Sequence, residues 1–256
     1  SPEASGLKPN DSRFQTMHPS DIAAEIEDLE LDQIRVHLRD LSDEIAADVI
    51  TELPQDLQTE LMENMRLDRV SEIIPEMHSD DAADALGHVS PERLHDILEE
   101  LPEEETEEIS DLLKYDEDTA GGIMQKEVLA IDETLTLAEA REAIRKDEDQ
   151  EDASSIYVYV VDQSQRLKGV LRLRDLLFRD LRLKVKDVMI TKVRTVSGEE
   201  DQEEIAQLFQ KYNFTALPVV DAQGRLTGLF PSDAVLAVIQ DEATEYMQRM
   251  VGLSCA

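Results

Sequence analysis

From residue 18 to residue 113, Leu, Ile, Val and Ala recur every three or four positions in short stretches, each opened by Ser, Asp or Pro. That period lines apolar side chains along one face of an α-helix. Three stretches show their kinship: Ser20-Asp21-Ile22-Ala23-Ala24-Glu25-Ile26, Ser42-Asp43-Glu44-Ile45-Ala46-Ala47-Asp48-Val49-Ile50 and Ser79-Asp80-Asp81-Ala82-Ala83-Asp84-Ala85-Leu86. Ser or Asp ahead of the apolar run predicts a side-chain cap on the free N–H groups of the first turn. Pro54, Pro91 and Pro102 are predicted inside first turns, where no N–H is needed. Helices of about ten residues are unstable alone, so they must stack, and the stretch reads as a small helical solenoid. Met62 and Met65 sit at helical spacing and are predicted core. Residues 1–17 lack periodicity and read as a loose tail.

Past residue 119 the texture changes to strand-like runs and Gly-bearing turns. Val160-Val161-Asp162 followed by Arg166-Leu167-Lys168-Gly169-Val170-Leu171 returns as Val219-Val220-Asp221 followed by Arg225-Leu226-Thr227-Gly228-Leu229-Phe230. The two glycines lie 59 residues apart (169 to 228). Each copy predicts a β-hairpin, then a helix over residues 175–179 or 233–239. An amphipathic helix precedes each hairpin, over 136–145 and 202–212, and a short strand precedes that, near 128–131 and 193–196. The unit is βαββα, twice. The fold class is α+β: an all-helical superhelical domain over 18–119, then modules over 120–182 and 183–240, with 241–256 starting a further helix.

Charge adds a second division. The chain carries 59 Asp plus Glu against 25 Lys plus Arg, a net charge of −34. Residues 1–119 hold 35 acids and 8 bases, net −27, whereas residues 120–256 hold 24 acids and 17 bases, net −7. A chain this negative repels nucleic-acid phosphates and anionic membranes, so no nucleic-acid partner is expected and a cationic one is. Acids on amphipathic helices ordinarily form solvated faces. Mixed-sign pairing would balance them, yet residues 98–118 contain eleven acids and one base, Lys114. Asp80 and Asp84, one turn apart, can present oxygens jointly to one ion, and oxygen-only ligation suits Mg²⁺ or Ca²⁺. The single cysteine, Cys255, excludes an intrachain disulfide and a cysteine zinc cage. No run approaches the length of a membrane span, and a soluble chain is expected. His18, His37, His78, His88 and His95 have no H-E-x-x-H pattern or neighbouring nucleophile and read as surface or helix-terminal residues; no enzyme is expected.

The tandem βαββα unit resembles the CBS-domain pair, whose clefts often hold adenine nucleotides. Local residues narrow the resemblance to the MgtE family of magnesium transporters and channels. They are Tyr115-Asp116-Glu117-Asp118-Thr119-Ala120-Gly121-Gly122-Ile123-Met124, Gly169-Val170-Leu171-Arg172-Leu173-Arg174-Asp175-Leu176-Leu177, Asp201-Gln202-Glu203-Glu204, Leu217-Pro218-Val219-Val220-Asp221, Asp241-Glu242-Ala243-Thr244-Glu245 and Met250-Val251-Gly252-Leu253. The acidic helical repeats are similar to that family's N-terminal domain. The resemblance implies a cytosolic Mg²⁺ sensor that forms a homodimer through its CBS modules and lies at the cytoplasmic face of the membrane. A connecting helix would join it to a transmembrane domain absent from these 256 residues.

Carried over position by position, the resemblance implies metal-binding roles for Asp48, Asp80 and Asp84, for the Gly122 carbonyl, for Asp201 and Glu203, and for Glu242 and Glu245 on the exit helix. The chain departs from the family pattern at Asn213, Ala234 and Ala237, where carboxylates are usual. For a nucleotide such as ATP, the resemblance implies a hydroxyl three residues after the hairpin Gly and an Asp six after it. Arg172 and Asp175 stand there in the first module, Pro231 and Ala234 in the second, so one position of four fits. Tyr157 or Phe214 could stack an adenine, with Pro218 beside them, and Arg174 could meet a phosphate; Tyr157 reads equally as a core aromatic of its strand. Three readings stay open: a magnesium sensor, an adenine-nucleotide-binding CBS regulator, and a dimeric scaffold binding neither.

Overall fold

The structure is a computed structural model of the 256-residue chain; it describes residues 14, 16–146, 157–232, 234, 235 and 238. The chain divides into two compact units, Ser1–Leu113 and Lys114–Ala256.

Eight α-helices build the described part of the first unit: α1 (Pro19–Ile26), α2 (Leu31–Arg39), α3 (Asp43–Thr51), α4 (Gln55–Asn64), α5 (Leu67–Ile73), α6 (Ser79–Gly87), α7 (Pro91–Glu100) and α8 (Glu103–Leu112). Each starts twelve residues after its predecessor. That period went unread in the sequence, although it was there to be counted. Odd helices pack on odd (α1 on α3, α3 on α5, α5 on α7) and even on even, so a 24-residue helix pair is the repeating unit. Ile22, Ile26, Ile34, Leu38, Ile50, Leu61, Met62, Ile73 and Leu86 are fully buried between the two rows. No helix here could bury its apolar stripe without a neighbour.

The helix starts differ from the predicted capping in part. Ser42 Oγ accepts from the Ile45 N–H at 3.4 Å, and Pro91 occupies the first helical position, as expected. Pro54 and Pro102 stand one residue earlier, at the N-cap. Their rings hold φ at −55° and −54°, and their carbonyls accept the first helical N–H bonds, from Leu57 and Gln58 and from Thr106. Ser20 and Ser79 fall inside their helices, behind His18 and His78 at the caps.

Arginines close the other ends. Arg69 donates from Nη2 to the carbonyls of Leu38 (3.3 Å) and Leu41 (3.1 Å) at the end of α2. Arg93, 24 residues on, donates from Nε to Met62 O (2.9 Å) and from Nη2 to Met65 O (2.6 Å) at the end of α4. A cation on orphan carbonyls satisfies acceptors and opposes the negative helix end together.

The second unit contains α9 (Ala120–Ile123), β1 (Ala130–Asp132), α10 (Leu137–Ile144), β2 (Tyr157–Val161), β3 (Leu167–Arg172), α11 (Leu173–Phe178), α12 (Val185–Val188), β4 (Val196–Ser197), α13 (Gln202–Tyr212), β5 (Ala216–Val220) and β6 (Leu226–Pro231). They make two three-stranded sheets, β1-β2-β3 and β4-β5-β6, each with a parallel then an antiparallel pairing. Both antiparallel pairs carry a register shift at the same repeat position, Val160/Val161 and Val219/Val220. The lead-in strands are shorter than predicted and lie later in the chain. Of the helix expected over 233–239, only residues 234, 235 and 238 are described, with Val235 and Val238 buried.

The repeated glycines now have a reason. The segment leading into the first module crosses to the second sheet: Gln125 and Leu229 exchange N–H···O bonds of 2.9 and 2.8 Å. Reciprocally, the segment leading into the second module lies on the first sheet, where Ile190 and Val170 exchange bonds of 2.9 Å each. A Cβ at Gly228 would stand 2.6 Å from Met124 Sδ and 2.8 Å from Gln125 O; one at Gly169 would stand 2.7 Å from Ile190 O and 2.9 Å from Met189 Sδ. Each glycine is where the other module's lead-in passes over the hairpin. The hairpin turns match too. Gln165 and Gly224 hold φ of 61° and 77°, and each carbonyl accepts from the other copy, Leu226 N at 2.9 Å and Leu167 N at 3.0 Å.

Candidate functional site

The junction before the first module packs on the second. Tyr115 is wedged between two glycines: a Cβ at Gly121 would collide with its ring, and one at Gly198 would stand 2.7 Å from it. Backbone bonds from Ala120 N to Glu200 O and from Gly121 N to Gly198 O, both 2.8 Å, fix the approach. Asp118 takes Gln202 twice, its carbonyl from the backbone N–H (2.9 Å) and its Oδ1 from the side-chain amide (3.0 Å). Asp201 bridges Thr119 and caps α13, its Oδ1 accepting from Glu203 N at 2.8 Å. Gly122 sits over the Asp116 carbonyl, 2.5 Å from where a Cβ would stand, so only glycine fits. Sequence motifs point to Gly122, Asp201 and Glu203, and the fold brings Gly122 and Asp201 onto adjoining segments, with exposed Glu203 two residues further, at the second position of α13. The wedge role of Tyr115 went unread, since nothing in a lone aromatic announces its glycine partners.

In the helical unit, Asp48 and Asp84 are exposed and Asp80 is half-buried in the first turn of α6, one turn before Asp84. Gln55 donates to the Asp84 carbonyl at 2.6 Å, tying α4 to α6. Among the described residues no group of three or more His, Cys, Asp or Glu converges into a ready metal cage. The donor set is nevertheless all oxygen, which fits a hard, partly hydrated ion such as Mg²⁺ and not zinc. Glu242 and Glu245 lie outside the described residues. The five histidines sit at His18 and His78 as N-caps, His37 in the last turn of α2, His88 as the C-cap of α6, and His95 exposed beside Glu99 at 3.3 Å. His37 is buried, edge-on to Phe14 with ring centroids 5.4 Å apart.

The residues implied for a nucleotide are placed less openly. Asp175, 5% exposed, is gripped by Arg172 through both oxygens (Nε–Oδ2 2.8 Å, Nη2–Oδ1 3.2 Å) and approached by Arg179 at 3.4 Å. Arg172 above all, with Arg179, holds the Asp175 carboxyl below the usual carboxylate range. The i, i+3, i+7 run of Arg172, Asp175 and Arg179, from the N-cap of α11 to its C-cap, is the legible signal for this cluster. Tyr157 opens β2 half-buried, Arg174 is exposed, and Pro218 is buried in β5. Phe214 belongs to an aromatic group, 6.2 Å from Phe209 and 5.5 Å from Tyr212 between ring centroids.

Among the described residues no helix is long and apolar enough to cross a membrane. Comparison with known families matches residues 17–118 to the MgtE intracellular N domain and residues 120–182 and 185–241 to the CBS domain. The magnesium transporter MgtE of Thermus thermophilus is 40% identical over 244 residues, covering 93% of this chain and 53% of that protein. The Bacillus subtilis magnesium transporter MgtE is 31% identical over 199 residues, 77% of this chain and 44% of that one. The chain thus spans about half the length of these relatives. Among solved structures, the cytosolic domain of the Mg²⁺ channel MgtE in complex with ATP superposes with a TM-score of 0.82 at 38% identity, over 89% of this chain and 92% of that one. The soluble part of a magnesium transporter gives 0.80 at 31% identity, over 91% of each. With a helical N domain and a CBS pair matched in order along nearly its whole length, this chain belongs to the MgtE family of magnesium transporters.

Proposed function

We propose that the chain is the Mg²⁺-sensing regulatory region of a magnesium transporter, held at the cytoplasmic face of the membrane. The observation that carries this reading is a net charge of −27 on residues 1–119, the part matched to the MgtE intracellular N domain. Facing carboxylates repel at contact, where salt screening over roughly 8 Å does not act. Acids of the N domain (Asp48, Asp80, Asp84) and of the CBS modules (Asp201, Glu203, with the Gly122 carbonyl) that share divalent cations cease to repel. The closed arrangement then gains population in proportion to the ions it binds. Glu242 and Glu245 join the same ligand set, and closure of a dimer formed through the CBS modules shuts the pore of a transmembrane domain beyond residue 256. Exposed Leu177 and Phe178 on α11, 74% and 83% accessible, supply apolar surface for that dimer. Asn213, Ala234 and Ala237 leave fewer ligands than the family pattern, so closure needs more Mg²⁺. Isothermal calorimetry and limited proteolysis across millimolar Mg²⁺ test the reading: heat and slower cleavage are expected. No heat with unchanged cleavage sinks it.

A second reading, an adenine-nucleotide-binding CBS regulator, is favoured by the similarity to an MgtE cytosolic domain solved with ATP. Thermal-shift measurements with ATP, ADP and AMP, on the chain and on Asp175→Ala, separate the two.

A further inference from the structure

The net charge of −34 conceals a local reversal. Between residues 182 and 194 the chain has five bases, Arg182, Lys184, Lys186, Lys192 and Arg194, against one acid, Asp187. The segment is held firmly. Leu183 O accepts from Leu137 N at 2.9 Å, Val185 is fully buried as the first residue of α12, and Ile190 is laid on β3 through its paired bonds with Val170. Val188 and Met189 pack against the core of the first module. With the apolar residues turned inward at those points, all five bases are exposed, and so are Leu183 (41%) and Ile190 (38%). Arg182 is paired with Asp180 at 2.7 Å, and Lys184 lies near enough to Glu139 to steady its negative charge. Lys186, Lys192 and Arg194 make no ion pair among the described residues, in a chain with 59 carboxylates.

We propose that this segment docks on an anionic phospholipid surface, with Lys186, Lys192 and Arg194 over headgroup phosphates and Leu183 and Ile190 in the interfacial layer. Interleaved cations and exposed aliphatic side chains on a fixed scaffold are the chemistry of such a surface; a free small anion would use the cations and gain nothing from Leu183 or Ile190. The whole-chain charge, which argues against anionic membranes, is not the deciding quantity. Carboxylates more than about 8 Å from the contact are screened at physiological salt, so the charge at the contact governs docking: Asp180 and Glu139 offset Arg182 and Lys184, and Asp187 stands against the other three bases. The inference rests on the reading of the chain as part of a membrane transporter, which keeps it beside a bilayer.

Co-sedimentation of the 256-residue chain with vesicles, in EDTA so that no divalent ion bridges carboxylate to lipid, tests it. Binding is expected to vesicles containing phosphatidylglycerol and not to pure phosphatidylcholine, and it falls as salt rises. Each neutralised base lowers partitioning about fivefold, so the variant Lys186→Gln/Lys192→Gln/Arg194→Gln loses about a hundredfold. Leu183→Ser weakens binding at constant charge. Equal partitioning into both vesicle types, or unchanged binding of the triple variant, overturns the proposal. So does a salt-sensitive self-association without vesicles that the triple variant abolishes, because the face then takes a second copy. Mg²⁺-dependent protection from proteolysis, measured on the same proteins, reads the transporter-sensor function separately: its loss in the parent chain removes that function and leaves the vesicle result intact.

Discussion

Replacing Gly228 by Ala should cut the tie between the first module's lead-in and the second sheet. The added methyl lands 2.6 Å from Met124 Sδ, 2.8 Å from Met124 Cγ and 2.8 Å from Gln125 O. Met124 is fully buried and has no solvent to swing into, and the Gln125 oxygen is backbone, held by Leu229 N at 2.8 Å. Relief therefore means moving the lead-in away from β6 and losing the two bonds between Gln125 and Leu229. Overpacking of this kind costs about 1–3 kcal/mol, and two backbone bonds about 1 kcal/mol each, for a total of about 3–5 kcal/mol. All five tyrosines, Tyr115, Tyr157, Tyr159, Tyr212 and Tyr246, lie in the second unit, and the chain has no Trp. Tyrosine fluorescence therefore reports on that unit alone, while far-UV circular dichroism is weighted toward the helical unit. With a urea m-value of about 2 kcal/mol/M, the fluorescence midpoint should fall by about 1.5–2.5 M. A shift below about 0.5 M would refute the close approach on which the estimate rests.

Arg93→Ala strips two charged donors from the end of α4 and should lower the stability of the helical unit by about 2–3 kcal/mol, read by circular dichroism in urea; Arg93→Lys should recover part of it. Gln165→Gly should stabilise the second unit by about 1 kcal/mol, because the residue holds φ 61° while its bonds are through the backbone, its N–H donating to Asp162 O and its carbonyl accepting from Leu226 N, and the tyrosine midpoint should rise accordingly. Asp175 has a depressed carboxyl, so its grip on Arg172 and Arg179 stabilises the second unit above the ordinary carboxylate pKa of about 4 and is lost as pH falls through the lower folded value. Asp175→Asn should therefore flatten the acid limb of the tyrosine-monitored stability profile below pH 4; an unchanged limb would assign that acid sensitivity elsewhere.

Much of the fold could be read from residue order. Apolar residues at helical spacing between 18 and 113, and at strand spacing around Val160 and Val219, gave element types and the 59-residue repeat, because those periods express which face each element buries. Cap positions were read less well. Pro54 and Pro102 serve through their carbonyls, so a rule about a missing N–H placed them one residue late. Of the candidate site, motif resemblance singles out Gly122, Asp201 and Glu203, of which the fold sets Gly122 and Asp201 on adjoining segments, while the hold of Arg172 and Arg179 on Asp175 is legible only as helical spacing in the string.

Sequence alone specified a two-part α+β chain, its repeats and its steep charge division, since composition and periodicity are local properties of the string. The crossing of Gln125 onto β6 and Ile190 onto β3, the reach of Arg69 and Arg93 to helix ends 28 and 31 residues away, and the seating of Tyr115 against Gly121 and Gly198 came from tertiary structure. These contacts join backbone groups, or a side chain to a backbone, and any residue can offer a carbonyl. The string therefore holds no partner code for them, and the pairings exist only once packing has brought distant segments together.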